Sequence, residues 1–172
     1  MSKQVLPLKS VLVDEGLIVR SSGGLIAGFG ARRAKVIPDE RGRLGEIMRA
    51  DDPWFEKFGQ VYFTTTYPGV VKAWHYHKKQ TDHFTCISGK MRLALYDARP
   101  GSPTYKEVND FVVGLEDPML IVIPKEVYHG FKCVSDVEAV VINTPTEPYD
   151  LKDPDEYRLD AYDNDIPYDW RK

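Results

Sequence analysis

The chain predicts an all-β fold, an antiparallel sandwich or barrel, and three observations carry that prediction. Short runs rich in β-branched and aromatic residues recur along its 172 residues, each closed by Gly, Pro, Ser or Asp, the pattern of strands joined by turns. Only the stretch 45–58 (GEIMRADDPWFEKF) has an arguable helical pattern, and Pro53 interrupts it. The histidines lie between strand-like segments rather than along one helix face.

The first runs are 11–16 (VLVDEG) and 16–24 (GLIVRSSGG). The glycines of 23–30 (GGLIAGFG) read as hairpin glycines, because no helical pattern follows them to complete a dinucleotide-binding loop. The run 60–69 (QVYFTTTYPG) comes next. Segments 83–89 (HFTCISG) and 90–103 (KMRLALYDARPGSP) meet at Ser88-Gly89, a hairpin turn, and RPGSP at 99–103 breaks the chain before 107–114 (EVNDFVVG). Runs 119–124 (MLIVIP) and 139–145 (AVVINTP) complete the set. The remainder, 145–172, is rich in Pro, Asp and Tyr and weakly periodic. It is expected to be a loop-rich tail packed on the barrel by Tyr157, Tyr162, Tyr168 and Trp170, since its aromatic content argues against disorder. With no internal repeat, low-complexity block or linker, 1–172 reads as a single domain.

Composition narrows the function classes. A domain of this size buries roughly 70% of its unfolded surface, so a core can form without a metal or disulfide. The 23 basic and 26 acidic residues give a net charge of -3, which argues against a nucleic-acid surface and its basic face. Cys86 and Cys133 are the only cysteines and lie in strand-like contexts, as reduced core thiols do. The start MSKQVLPLKS lacks the charged head and apolar run of a signal peptide, and no apolar stretch approaches the roughly 20 residues that span a bilayer. The expectation is a cytoplasmic protein with no membrane partner.

The chemistry concentrates in 69–89 (GVVKAWHYHKKQTDHFTCISG). Strand alternation puts His75 and His77 on one face and Tyr76 on the other. Lys72, Lys78 and Lys79 supply nearby cations, as a phosphorylated ligand requires. A second histidine, His129, ends 123–129 (IPKEVYH) after an apolar run. His75, His77 and His129 converge on one pocket if both segments line a barrel, while the fourth histidine, His83, sits inside the first motif.

The segment Gly69-X5-His75-X-His77-X4-Asp82-X6-Gly89 resembles the first cupin motif, with Asp82 where that superfamily usually has Glu. Pro124-X-Glu126-X2-His129 resembles the second, with Glu126 where Gly is usual. The resemblance implies a cupin-type double-stranded β-helix, a jelly-roll barrel with few short helices. In metal-bearing cupins these positions supply three histidines and a carboxylate. Here they would be His75, His77, Asp82 and His129, ligand types suited to a divalent transition metal.

A wider resemblance runs from about Ile37 to Trp170 and is to dTDP-4-dehydrorhamnose 3,5-epimerases and related nucleotide-sugar epimerases. Its landmarks are Asp39-Glu40-Arg41-Gly42 with Glu46, Phe58-Gly59-Gln60, Gly69 to Tyr76, Leu95 to Thr104, Ile123-Pro124 with His129-Gly130-Phe131, and Arg158-Leu159-Asp160 with Ile166 to Trp170. It implies a cofactor-independent isomerase acting on a dTDP-4-keto-6-deoxy-hexose or related 4-keto sugar, in deoxysugar or surface-polysaccharide synthesis. It implies a homodimer whose N-terminal strands, within 1–36, exchange. By the same resemblance His75 is the catalytic base and Asp160 its carboxylate partner. Arg41, Glu46, Gln60 and Lys72 fall where nucleotide or diphosphate is contacted, and His77 and His129 line the substrate pocket.

Those residue types suit the reaction. Inversion beside a ketone removes a carbon-bound proton and returns it on the other face, which needs a base poised near neutrality and an acid opposite. Histidine has an unperturbed pKa of about 6.5, and a carboxylate partner fixes its tautomer. The enolate oxygen also needs a donor or cation.

The chain departs from the family in two places. Counting back from Gly89, Asp82 stands where the family has a catalytic lysine, and Lys78 and Lys79 are off that position. The strand 139–143 (AVVIN) lacks the family's catalytic tyrosine, which leaves Tyr76, Tyr128 and Tyr149 as replacements, Tyr76 being the weakest by strand parity. Other readings compatible with these departures are a single-centre epimerase, a nucleotide-sugar 3,4-ketoisomerase, which HYHKKQ also resembles, a metal-dependent cupin enzyme and a non-catalytic sugar-binding cupin.

Overall fold

The computed structural model describes residues 5–12 and 17–172. Two antiparallel sheets and a hairpin account for its strands. The larger sheet has the order β1 (Lys9–Leu12), β2 (Ile18–Ser21), β10 (Val108–Gly114), β9 (Lys90–Asp97), β12 (Val127–Cys133), β7 (Val71–Tyr76), β14 (Tyr157–Arg158). The smaller runs β3 (Gly30–Arg33), β11 (Met119–Ile123), β8 (Asp82–Ser88), β13 (Ala139–Asn143), β6 (Tyr62–Thr66). β4 (Lys35–Asp39) and β5 (Gly42–Glu46) form a separate two-stranded hairpin. Residues 13–16 of the first expected strand lie outside the described residues.

Alternation dictates the packing. Met91, Leu93 and Leu95 of β9, with Phe131 and Cys133 of β12, face Phe84 and Cys86 of β8, Ile121 and Ile123 of β11 and Val141 of β13 in one buried cluster. Cys86 and Cys133 are both buried and unbonded. The turn expected at Ser88-Gly89 forms, with Gly89 at φ 64°, a left-handed conformation that favours glycine.

The tail covers the outer face of the larger sheet. Ile166, Tyr168 and Trp170 are buried against Trp74 of β7 and Ala94 of β9, with the Trp74 and Trp170 rings 5.1 Å apart. Tyr157 stacks on Tyr76, whereas Tyr162 is exposed and adds no packing of that kind. The few short helices implied at sequence level are not found: no helix forms among the described residues. Gly45 and Glu46 belong to β5, and the chain then turns through 50–54 around Pro53, which cannot donate into a helix ladder.

Candidate active site

At one end of the sandwich the inward-facing positions change from apolar to polar. β7 carries His75 and leads into His77, β8 begins at Asp82, β12 carries His129, and β13 ends on Asn143 where β6 begins on Tyr62, the two pairing directly in register. His75 and His129 also pair across β7 and β12, with ring centroids 4.1 Å apart. Phe84 and Phe131 lie beneath, edge-to-face at 5.9 Å, and Phe84 reaches the His129 ring at 5.7 Å. Gly130, next to His129, is required by close approach: a Cβ there would overlap Ala73 on β7.

The three expected histidines do converge. One ligand atom from each of His75, His77, His129 and Asp82 can be chosen so that all four lie within 4.8 Å of one another. Tyr76 points the other way, into contact with Tyr128 and Tyr157, as parity predicts. His83 also faces away from the cluster, its ring nitrogens placed against the Thr144 and Trp54 carbonyls.

The polar contacts are specific. Asp82 is 1% exposed, and its Oδ1 accepts from Gln80 Nε2 and Asn143 Nδ2, both at 2.8 Å. Its Oδ2 lies 3.1 Å from His129 Nε2 and 3.3 Å from His77 Nε2. Asn143 Nδ2 also donates to Tyr62 Oη at 2.9 Å, while Asn143 Oδ1 accepts the His83 amide.

The tail fixes the loop after β7. The Asp155 carboxylate accepts the amides of Lys78, Lys79 and Gln80, and the Asp155 carbonyl accepts His77 Nδ1. From the other side the Glu126 amide donates to the His77 carbonyl at 2.7 Å. Glu126 has φ 62°, so the site where the second cupin motif usually has glycine keeps a glycine-like conformation despite its side chain.

Burial, assisted by neighbouring His129, holds the His75 imidazole well below its ordinary pKa, against the opposing pull of Asp82. Burial also works against charge on His77, but its pairing with Asp82 outweighs that and raises it. Burial would raise Asp82; facing His129 and His77, its carboxyl is instead held well below the usual range. Burial, with the Asp82 charge adding, pushes the Tyr62 phenol up to about 12.

Two cavities open onto His75 and Tyr62. One of 540 Å³ is lined also by Gln60, His77, Gln80 and Tyr149; the other, of 490 Å³, by Lys72, Phe84, Phe131 and Arg158. Gln60 and Lys72 thus reach the site as expected, although Lys72 Nζ is engaged by Thr64 and Thr65.

Other expected residues lie elsewhere. Arg41 is exposed on the β4–β5 hairpin and paired with Asp39, and Glu46 pairs with Arg49. Neither lines these cavities. Asp160, expected beside His75, is exposed at a turn and accepts the amides of Tyr162 and Asp163, making no ion pair or hydrogen bond with His75. The carboxylate among the histidines is Asp82. Lys78 lies over the Tyr157 ring and Lys79 pairs with Asp153, so neither occupies the missing lysine's place. Tyr62 was missed because a single tyrosine outside the histidine motifs carries no pattern of its own; the cue available was its place on the strand just before the His75 segment.

Comparison with known proteins agrees with this architecture. Residues 25–172 match the family model described as dTDP-4-dehydrorhamnose 3,5-epimerase. The chain is 44% identical over 140 residues to a Haloferax volcanii protein named "Probable low-salt glycan biosynthesis epimerase Agl13", covering 80% of this chain and 85% of that one. It is 36% identical over 146 residues to the spore coat polysaccharide biosynthesis protein SpsL of Bacillus subtilis, covering 85% and 97% of the two chains. The crystal structure of a dTDP sugar isomerase from Desulfovibrio desulfuricans G20 superposes with a TM-score of 0.81 at 31% identity, over 85% of this chain and 92% of that one.

Proposed function

Because the chain belongs to the dTDP-4-dehydrorhamnose 3,5-epimerase family, a family of nucleotide-sugar isomerases, we propose that His75 is its catalytic base and Tyr62 the acid that completes inversion. The observation that carries this assignment is the shared lining: His75 and Tyr62, on facing sheets, both border the two cavities, together with Glu156, and Asn143 fixes the Tyr62 hydroxyl by donating to it. The substrate is a dTDP-linked 4-keto-6-deoxy sugar or a close relative, serving glycan or polysaccharide synthesis, as the names of the Haloferax and Bacillus relatives support.

In the reaction the C–H bond beside the ketone breaks, its proton passes to a His75 ring nitrogen, and the electron pair moves into an enolate. The Tyr62 hydroxyl then protonates the same carbon from the opposite face, and water restores both groups. A phenol stays protonated at neutral pH and suits that second step. These proton transfers are redox-neutral and call for no redox cofactor. Gln60 and Lys72 line the path for the nucleotide diphosphate. His77 and His129 act beside the sugar through Asp82, while Arg41, Glu46 and Asp160 lie outside both cavities. His75→Asn should abolish turnover of dTDP-4-keto-6-deoxyglucose while leaving dTDP affinity within a few-fold; retained turnover would overturn the assignment.

The catalytic unit is taken as one domain over 1–172, working in the cytoplasm as a homodimer. No described helix is long and apolar enough to cross a membrane. The exposed edge strand β6, with Phe63 70% exposed, and the edge strand β1 support pairing with a second copy.

A further inference from the structure

Removing a proton beside a ketone drives negative charge onto the ketone oxygen, and that charge needs a cation or donor within reach. The oxygen is two bonds from the carbon that loses its proton, so it forms within a few ångströms of His75. His77 and His129 have no donor to spare for it. Each turns one ring nitrogen to a backbone carbonyl, at Asp155 and Val127, and the other to Asp82. The lysines on the cavity walls are engaged as well, Lys72 Nζ by Thr64 and Thr65 and Lys79 Nζ by Asp153. Among the described residues lining these cavities, the remaining cation is Arg158.

Strand register aims Arg158 at the base. β14 pairs with β7 so that Tyr157 faces Tyr76 and Arg158 faces His75. Tyr157 stacks on Tyr76 outside the cavities, so alternation puts Arg158 on the face that His75 occupies. Directly opposed residues of an antiparallel pair have Cβ atoms roughly 4.5–5.5 Å apart. The strand is fixed next door, where Trp74 and Leu159 exchange backbone hydrogen bonds of 3.1 and 2.9 Å. The guanidinium is anchored at one nitrogen: Nη2 donates to both Glu156 oxygens at 2.9 Å, while Nε and Nη1 have no protein partner among the described residues. Glu156 borders both cavities with its side chain 22% exposed, against 74% for Arg158, so a mostly buried carboxylate holds a cation with free donors out over the open space. The Arg158 charge already reaches His75, where it adds to burial and to the neighbouring histidines in holding that imidazole's pKa low.

We propose that Arg158 is a catalytic residue whose guanidinium donates to the ketone oxygen of the bound sugar and stabilises the enolate formed when His75 takes the proton, with Glu156 as its positioning residue. The inference rests on the epimerase reading of the same site. In the step the C–H pair forms a carbon–carbon double bond and the carbonyl π pair moves onto oxygen, facing Arg158, which keeps its protons throughout. Both pairs return when Tyr62 protonates the carbon. A sugar seated between His75 and Tyr62 covers Arg158, and the loss of water strengthens its hold on the oxygen.

The test measures deuterium entry into dTDP-4-keto-6-deoxyglucose in deuterium oxide, and dTDP affinity by calorimetry, for wild type, Arg158→Gln, Arg158→Lys and the double variant Arg158→Gln/Glu156→Gln, with circular dichroism checking each fold. Losing one preorganised donor at an oxyanion costs about 100- to 1,000-fold in turnover. Arg158→Gln should therefore exchange about 100-fold more slowly or worse while binding dTDP within a few-fold of wild type, and added guanidinium ion should restore part of the rate. Arg158→Lys keeps the charge but loses the planar fork and should fall between, and the double variant should stay as slow as Arg158→Gln. Recovery in the double variant would trace the loss to a stranded Glu156 charge, and dTDP affinity that falls with the rate would put Arg158 on the diphosphate; either overturns the inference. Equal exchange in wild type and Arg158→Gln sinks this inference alone, whereas no exchange even in wild type sinks the epimerase reading with it.

Discussion

Asn143→Ala probes the polar end of the sandwich most sharply. One side chain donates to Asp82 Oδ1 at 2.8 Å and to Tyr62 Oη at 2.9 Å, and accepts the buried His83 amide at 2.9 Å. Alanine removes a hydrogen bond to a buried carboxylate, worth about 1.5–3 kcal/mol, and leaves an amide unsatisfied at about 1–3 kcal/mol. The loss should be near 4 kcal/mol, which for a chain of this length lowers Tm by about 8–16 °C. Urea unfolding and calorimetry measure it directly. Asn143→Asp serves as the companion: it keeps the acceptor for His83 but sets a second carboxylate against Asp82, so its deficit should shrink as pH falls and one carboxyl protonates. A loss for Asn143→Ala within about 0.5 kcal/mol, the scale of surface substitutions, would refute the idea that Asn143 organises the site.

Three further outcomes are expected. Tyr62→Phe should lower epimerisation by about 100-fold or more while solvent deuterium still enters the substrate, because His75 can remove and return a proton on one face; equal loss of both would assign Tyr62 another role. Asp97, despite burial, is held well below the usual carboxylate range by Arg99, Ser102 and Thr104. Its folded pKa is depressed, so its contribution is complete above the unfolded value of about 3.9 and fades as pH falls below it; the Tm gap between wild type and Asp97→Asn should be widest at neutral pH and close on acidification, and a constant gap would contradict this. Glu126→Gly relieves a left-handed conformation at φ 62°, and after the added unfolded-state entropy it should gain about 0.5–1 kcal/mol, seen as a small rise in Tm; a lower Tm would show that the Glu126 side chain matters more than its backbone.

Local patterns in the chain exposed much of this site. Strand alternation is enough to put His75 and His77 on one face and Tyr76 on the other, and the run before His129 marks a strand that enters the same barrel. Asp82 was legible as part of a ligand pattern but not as the carboxylate of the site, because its role depends on Gln80 and Asn143 saturating one oxygen. Tyr62 was hidden because its partner Asn143 lies on another strand, and register across a sheet is set by tertiary pairing. Asp160 lies apart from His75 for the opposite reason. Leu159 pairs with Trp74 through the backbone, and the chain then turns, so the next carboxylate caps that turn instead of reaching His75. The helical reading of 45–58 failed because Gly45 and Glu46 were claimed by the β4–β5 hairpin.

The central claim, proton transfer at His75, is tested most directly by proton NMR of dTDP-4-keto-6-deoxyglucose incubated with the protein in deuterium oxide, following the sugar C3 and C5 positions. The account predicts deuterium entry at one or both carbons with wild type and none with His75→Asn. Exchange that persists in that variant at the wild-type rate would contradict it.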